Sequence, residues 1–121
     1  SGLYGALRPL DGIVNAVEFF IHHEDVLRAN GRTQYLTDKD QAELLRTARV
    51  LAFRAQRAWG GQLILVPTVG EVIRYGRGNR PLRLVGPPSE LLLFLTGREA
   101  DIGITAEPET VEEFRKAVGN L

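Results

Sequence analysis

The sequence predicts an α+β fold: one long bundle-type helix, then a small domain in which helices cover a mostly antiparallel four-stranded sheet. Apolar residues recur with a helical period as far as Trp59, and after Gly60-Gly61 they come in short runs typical of strands. The predicted order is helix, helix, three strands, helix, strand, helix, which favours helices packed on one face of a sheet. With 121 residues, 44% of them hydrophobic, the chain is long enough for one domain with a core and too short for two full ones.

The first helix is predicted over residues 11–30, where Asp11 can cap the first turn and Asn30-Gly31 ends the helix. Its polar residues are spaced four, three, four and three apart and occupy an arc of about 80°. They are Asp11, Asn15, Glu18, His22 and Asp25. The rest of the helix is almost entirely apolar. A thin polar row on an apolar cylinder indicates a buried helix whose polar row faces an internal site.

The second helix is predicted to begin at Thr37-Asp38 and to end near Trp59-Gly60-Gly61. Its apolar inner side is expected to comprise Leu44, Leu45, Ala48, Leu51, Ala52 and Ala55. Nothing in the following β-rich part needs a helix with a polar row, so we place a domain boundary in the loop 31–36. Residues 1–31 would then be a separate bundle-type helix, and residues 37–121 a small α+β domain.

The remaining elements follow from local patterns. Runs at 63–66, 72–75 and 82–85 predict an antiparallel meander in which Gly76-Arg77-Gly78 is a hairpin turn. Ser89 is expected to cap an apolar helix that includes residues 91–95 and lies across the sheet. Residues 101–106 predict a fourth strand, and Pro108 precedes a last helix over 110–118.

Composition excludes several classes of function. Fifteen basic residues balance fifteen acidic ones, which argues against nucleic acid or an anionic membrane as a partner. The absence of cysteine excludes disulfides, iron–sulfur clusters, a cysteine nucleophile and thiolate zinc sites. No run is long and apolar enough to span a bilayer, and we expect a soluble, cytoplasmic protein. Because the chain begins Ser1-Gly2-Leu3 rather than with methionine, we expect a fragment of a longer protein.

Glu18 and His22 are the candidate metal ligands. Four residues apart on a helix, a carboxylate and an imidazole lie one above the other and can share a divalent cation. The apolar surroundings favour metal binding, because an unpaired buried carboxylate costs free energy. Asp25 and Asn15, on the same row, can orient these ligands. The alternative is a simple Glu18–His22 hydrogen bond on an exposed face. A usual zinc site needs a third protein ligand from elsewhere.

The run from Glu18 to Val26, with its Glu-x-x-x-His-x-x-Asp frame, resembles the last bundle helix of DinB-like, mycothiol-dependent maleylpyruvate isomerase metal-binding domains of actinobacteria. Residues 10–15 and 85–95 are also similar to an uncharacterised branch of that superfamily, so the likeness covers nearly the whole chain. The resemblance implies a metal-binding four-helix bundle, truncated here so that residues 1–31 are its last helix, followed by a small sterol-carrier-like α+β domain at residues 37–121. It also implies that Glu18 and His22 are two of three protein ligands, whose third histidine has no match here.

From this resemblance we expect the C-terminal part of a metal-binding protein of the thiol-dependent isomerase or transferase type. The implied cofactors are a divalent metal, most simply zinc, and a thiol such as mycothiol, while the fragment alone is expected to be inactive. An apolar arc around Phe19, Phe20 and Leu27 would be exposed without the bundle, which predicts a homo-oligomer.

The alternative function is a non-catalytic ligand- or partner-binding α+β domain with a structural polar helix. Arginines along the second helix and the strands could bind an anion such as a carboxylate-bearing thiol or cofactor, or could simply form solvated faces. They are Arg46, Arg49 and Arg57 beside Phe53, and Arg74, Arg77, Arg80 and Arg83. Nucleic-acid binding through the same arginines is a third possibility, disfavoured by the charge balance.

Overall fold

The computed structural model describes residues 36–119, which form an α+β domain. The helices are α1 (Asp38–Trp59), α2 (Pro88–Leu95) and α3 (Pro108–Val118), and the strands are β1 (Leu63–Pro67), β2 (Ile73–Tyr75), β3 (Leu82–Gly86) and β4 (Gly103–Thr105). The predicted first helix, its polar row and the predicted domain boundary lie outside these residues. In the described part of the chain, no helix is long and apolar enough to cross a membrane.

Helix α1 begins and ends where its sequence predicts. The Thr37 hydroxyl accepts a hydrogen bond from the Asp40 amide at 3.1 Å, and the Asp40 carboxylate accepts one from the Thr37 amide at 3.1 Å, which together form a capping box. At the other end Gly60 has a φ of 93°, the left-handed conformation that glycine adopts without steric cost. Leu45, Ala48, Ala52 and Ala55 form its buried side, while the predicted inner residues Leu44 and Leu51 are half-buried.

Replacing Thr37 by alanine is expected to lower the free energy of unfolding by about 1 kcal/mol, because it leaves an amide of the first turn without its acceptor. Denaturant unfolding followed by circular dichroism measures the loss. Thr68→Ala is the matched control, since Thr68 is exposed and only its backbone amide is hydrogen-bonded, to Gly86. Equal midpoints for the two variants would show that the capping box does not stabilise this helix.

The sheet has the strand order β2-β1-β3-β4. Strand β1 pairs antiparallel with β2 and parallel with β3, and β3 pairs antiparallel with β4. Two of three pairings are antiparallel, which confirms a mostly antiparallel four-stranded sheet. The predicted meander is wrong, however, because β3 lies on the far side of β1 instead of next to β2. The Gly76-Arg77-Gly78 segment therefore belongs to a connection that passes the end of β1, and it is not a hairpin turn.

Burial explains this pairing. Strands β1 and β3 are both five residues long and place alternate residues on one buried face, whereas β2 has three residues and exposes Arg74. Pairing the two longer apolar strands puts Leu63 and Leu65 beside Leu82 and Leu84 at the centre of the sheet, where all four are fully buried. Removal of this apolar surface from water favours the mixed sheet over a meander.

Helix α2 packs against α1 and contacts β1 and β3, and all its residues except Glu90 are buried. The prediction that Ser89 caps this helix is wrong, because Pro87 is the N-cap residue and makes no side-chain cap. The side chain of Gln41 in α1 caps the start of α2 instead. Its side-chain oxygen accepts from the Ser89 amide at 2.9 Å, and its Nε2 donates to the Ser89 hydroxyl at 3.0 Å. The cap thus comes from another helix, which joins α1 to the start of α2.

Candidate functional site

The predicted metal ligands Glu18 and His22, with Asp25 and Asn15, lie outside the described residues, so the metal site stays a prediction. Within residues 36–119, no three His, Cys, Asp or Glu side chains are grouped closely enough to hold a metal ion. The candidate site of the described domain is instead a groove on its surface.

The groove has a volume of about 460 Å³ and lies between one face of α1 and the end of β2. Its lining residues, which we call the arginine–aromatic groove, are Arg46, Arg49, Val50, Phe53 and Tyr75. Along α1, the positively charged Arg46 and Arg49 lie at one end of the groove and the Phe53 ring lies at the other. The combination of apolar surface with a few charged groups is typical of small-molecule sites.

Helical and strand periods bring these residues together. Arg46, Arg49, Val50 and Phe53 follow one another at spacings of three, one and three, which places them along one side of α1. Tyr75 is two residues beyond the buried Ile73 and therefore lies on the helix-covered face of the edge strand β2. The Phe53 and Tyr75 rings meet edge to face, with their centroids 5.6 Å apart.

Within residues 36–119, no carboxylate neutralises the charge of the groove. No carboxylate of the described residues lies within ion-pair distance of Arg46 or Arg49. The Arg57 guanidinium stands 5.7 Å from the centre of the Phe53 ring, a cation–π contact that adds positive charge beside the groove. Phe53 is nevertheless 46% exposed, so its ring is available to a ligand.

A second, smaller cleft of about 250 Å³ lies between the end of α1 and the 77–80 loop. Arg80 in this cleft is already paired with Glu113 of α3 at 3.3 Å, and both side chains are about half exposed. The loop leads into strand β3 and not into a helix. A phosphate-binding glycine loop has a helix N-terminus directly behind it, and this loop does not.

The predicted arginine set is therefore divided among three places. Arg46 and Arg49 line the groove beside Phe53, Arg77 and Arg80 line the second cleft, and the exposed Arg74 and Arg83 flank Ile64 of β1 from the strands on its two sides. The solvated-face interpretation holds for the last pair. Sequence reasoning missed Tyr75, because a tyrosine at the end of a short strand does not indicate which helix it will contact.

Comparison of the chain with protein-family models, with curated proteins and with solved structures finds no match.

Proposed function

We propose that this chain contributes Glu18 and His22 to a divalent metal site, most simply a zinc site, in a protein of the thiol-dependent isomerase or transferase type. The observation that carries the proposal is the polar row of the predicted first helix, with these two residues four apart at its centre. A carboxylate in apolar surroundings needs a compensating charge, and a metal ion supplies it while accepting a neutral imidazole.

The proposal includes the wider DinB-like relationship. The proposal also covers four further points: the bundle helix, the sterol-carrier-like character of the α+β domain, the cytoplasmic location and oligomerisation through the first helix. A metal at this site would stabilise the thiolate of a small thiol such as mycothiol. Asp25 and Asn15 would orient the ligating groups, and a third ligand would come from another helix or another chain.

Zinc bound to the 121-residue chain should depend on Glu18 and His22 and not on their neighbours. We expect the Glu18→Ala, His22→Ala double variant to lose more affinity than the roughly 10- to 100-fold that the loss of an outer hydrogen-bond partner costs. Elemental analysis and a competition titration with a chromophoric chelator measure the bound metal.

The matched control is the His23→Ala, Glu24→Ala double variant, which also removes one imidazole and one carboxylate. In the predicted helix His23 is turned by about 100° from His22, and Glu24 lies off the polar row. This variant should retain the metal. Equal zinc affinities of the wild type and both variants, titrated at metal concentrations that fill a two-ligand site, would refute the proposed site.

A second candidate function is supported by the arginine–aromatic groove: the α+β domain would bind a small ligand without performing chemistry. The groove combines two arginines that have no carboxylate partner among the described residues with an exposed aromatic ring. This function does not need the metal and would be retained by a chain that binds none.

A further inference from the structure

We propose that the arginine–aromatic groove binds a small carboxylate with a flat aromatic or conjugated body. The carboxylate would pair with Arg46 and Arg49, and the flat body would lie against Phe53 and Tyr75. This proposal rests on the ligand-binding candidate function, whose ligand class it names, and is independent of the metal site.

The charge of the groove selects an anion. Arg46 and Arg49 are three residues apart on α1, so their side chains project from neighbouring positions on one helix face. The described residues offer them no carboxylate within ion-pair distance. A guanidinium presents its N–H groups in a planar fork that matches a carboxylate, and two such groups side by side favour a ligand with concentrated negative charge.

The aromatic end selects a flat, apolar body. Phe53 is one of the few large hydrophobic residues with more than a third of its surface exposed among those described. Its ring already meets the Tyr75 ring at an interplanar angle of 78°. A planar ligand could stack on the open part of the Phe53 ring, an arrangement that aromatic groups prefer and that removes apolar surface from water.

The size of the groove indicates a small molecule. Its volume of about 460 Å³ lies within the 300–1,000 Å³ typical of small-ligand sites. A nucleic acid would need a basic track several nucleotides long, and the exposed Arg74 and Arg83 lie on strands and do not line this groove. Arg49 and Phe53 are four residues apart on α1, which is about 6 Å along the helix axis, a span that a single aromatic ring system with one carboxylate can bridge.

A titration of the 121-residue chain with 2-naphthoate, followed by two-dimensional amide NMR, tests the proposal. We expect shifts centred on residues 46–53 and on Tyr75. Because the arginine pair would bind the carboxylate by charge-assisted hydrogen bonds, the uncharged analogue 2-naphthalenemethanol should bind at least about tenfold more weakly. The Arg46→Gln, Arg49→Gln variant should lose at least about tenfold in affinity for 2-naphthoate.

The matched control is the Arg74→Gln, Arg83→Gln variant, which removes the same charge from exposed positions outside the groove. It should bind 2-naphthoate as the wild type does. Equal weakening in both double variants would mean non-specific attraction and would overturn the proposal. Shifts that map to another surface would overturn the groove assignment while leaving a ligand-binding domain. No binding of either compound at millimolar concentration would refute both the groove and the ligand-binding function.

Discussion

Replacing Phe114 by alanine is expected to lower the free energy of unfolding by about 3–5 kcal/mol, the range for deleting a large buried aromatic side chain. Phe114 of α3 is completely buried. Its ring stacks on Phe94 of α2 with centroids 6.0 Å apart, and it meets Trp59 of α1 edge to face at 5.4 Å. One side chain thus joins the three helices of the described domain, and its loss would leave a cavity that none of them can fill alone.

Phe53→Ala is the matched control for this prediction. It deletes the same side chain from α1 at a position that is 46% exposed, so its cost should be about 1 kcal/mol or less. Denaturant unfolding followed by circular dichroism compares the two variants. Trp59 is the single tryptophan of the chain, and its fluorescence reports separately on the Phe114 contact. Similar unfolding midpoints for both variants would show that α3 is not held through Phe114.

Replacing Gly76 by alanine is expected to cost about 2–4 kcal/mol, from the sum of a conformational and a steric contribution. Gly76 has a φ of 79°, where a residue with a Cβ atom is strained. A Cβ atom there would also meet the Gln56 side chain and lie 2.5 Å from the Gly61 carbonyl oxygen. Gln56 Nε2 donates a hydrogen bond to that same oxygen at 2.9 Å. The new methyl group would therefore disturb the hydrogen bond that links the C-terminal part of α1 to the residue two positions before β1.

Gly97→Ala separates the two contributions. Gly97 has a φ of 85°, close to that of Gly76, but no atom of the described residues would lie within 4 Å of its Cβ atom. Its substitution should therefore cost only the conformational part, about 1–2 kcal/mol. Thermal unfolding of the two variants gives the difference directly. A Gly76→Ala protein as stable as Gly97→Ala would mean that the Gln56 and Gly61 groups move aside without cost.

The helices of the described domain show how much of the secondary structure can be predicted from local sequence. The bounds of α1 follow from Thr37 and Gly60, and α3 begins at Pro108, directly before the residues 110–118 predicted as helix. Strands β1 and β3 follow from the sequence for the same reason, since their alternation of more and less buried residues is a local property. The apolar run of α2 was also correctly assigned to a helix, although its cap was not.

The candidate groove was predictable only in part. Helical spacing alone predicts that Arg46, Arg49 and Phe53 lie on one side of α1. Tyr75 joins them because β2 pairs with β1 at the edge of the sheet, a contact between residues far apart in sequence. The Gln41–Ser89 hydrogen bonds have the same origin, because they link positions 48 residues apart that no short-range pattern relates.

The sequence by itself determined which segments of this domain form helices and strands, because capping residues, glycines and apolar periodicity act over a few residues. It also predicts the thin polar row on which the proposed metal site rests. Only the tertiary structure decided that β3 lies beside β1, that Gln41 caps α2 and that Tyr75 completes the groove. Each of these depends on which arrangement buries the most apolar surface while satisfying its polar groups, and that is a property of the whole domain.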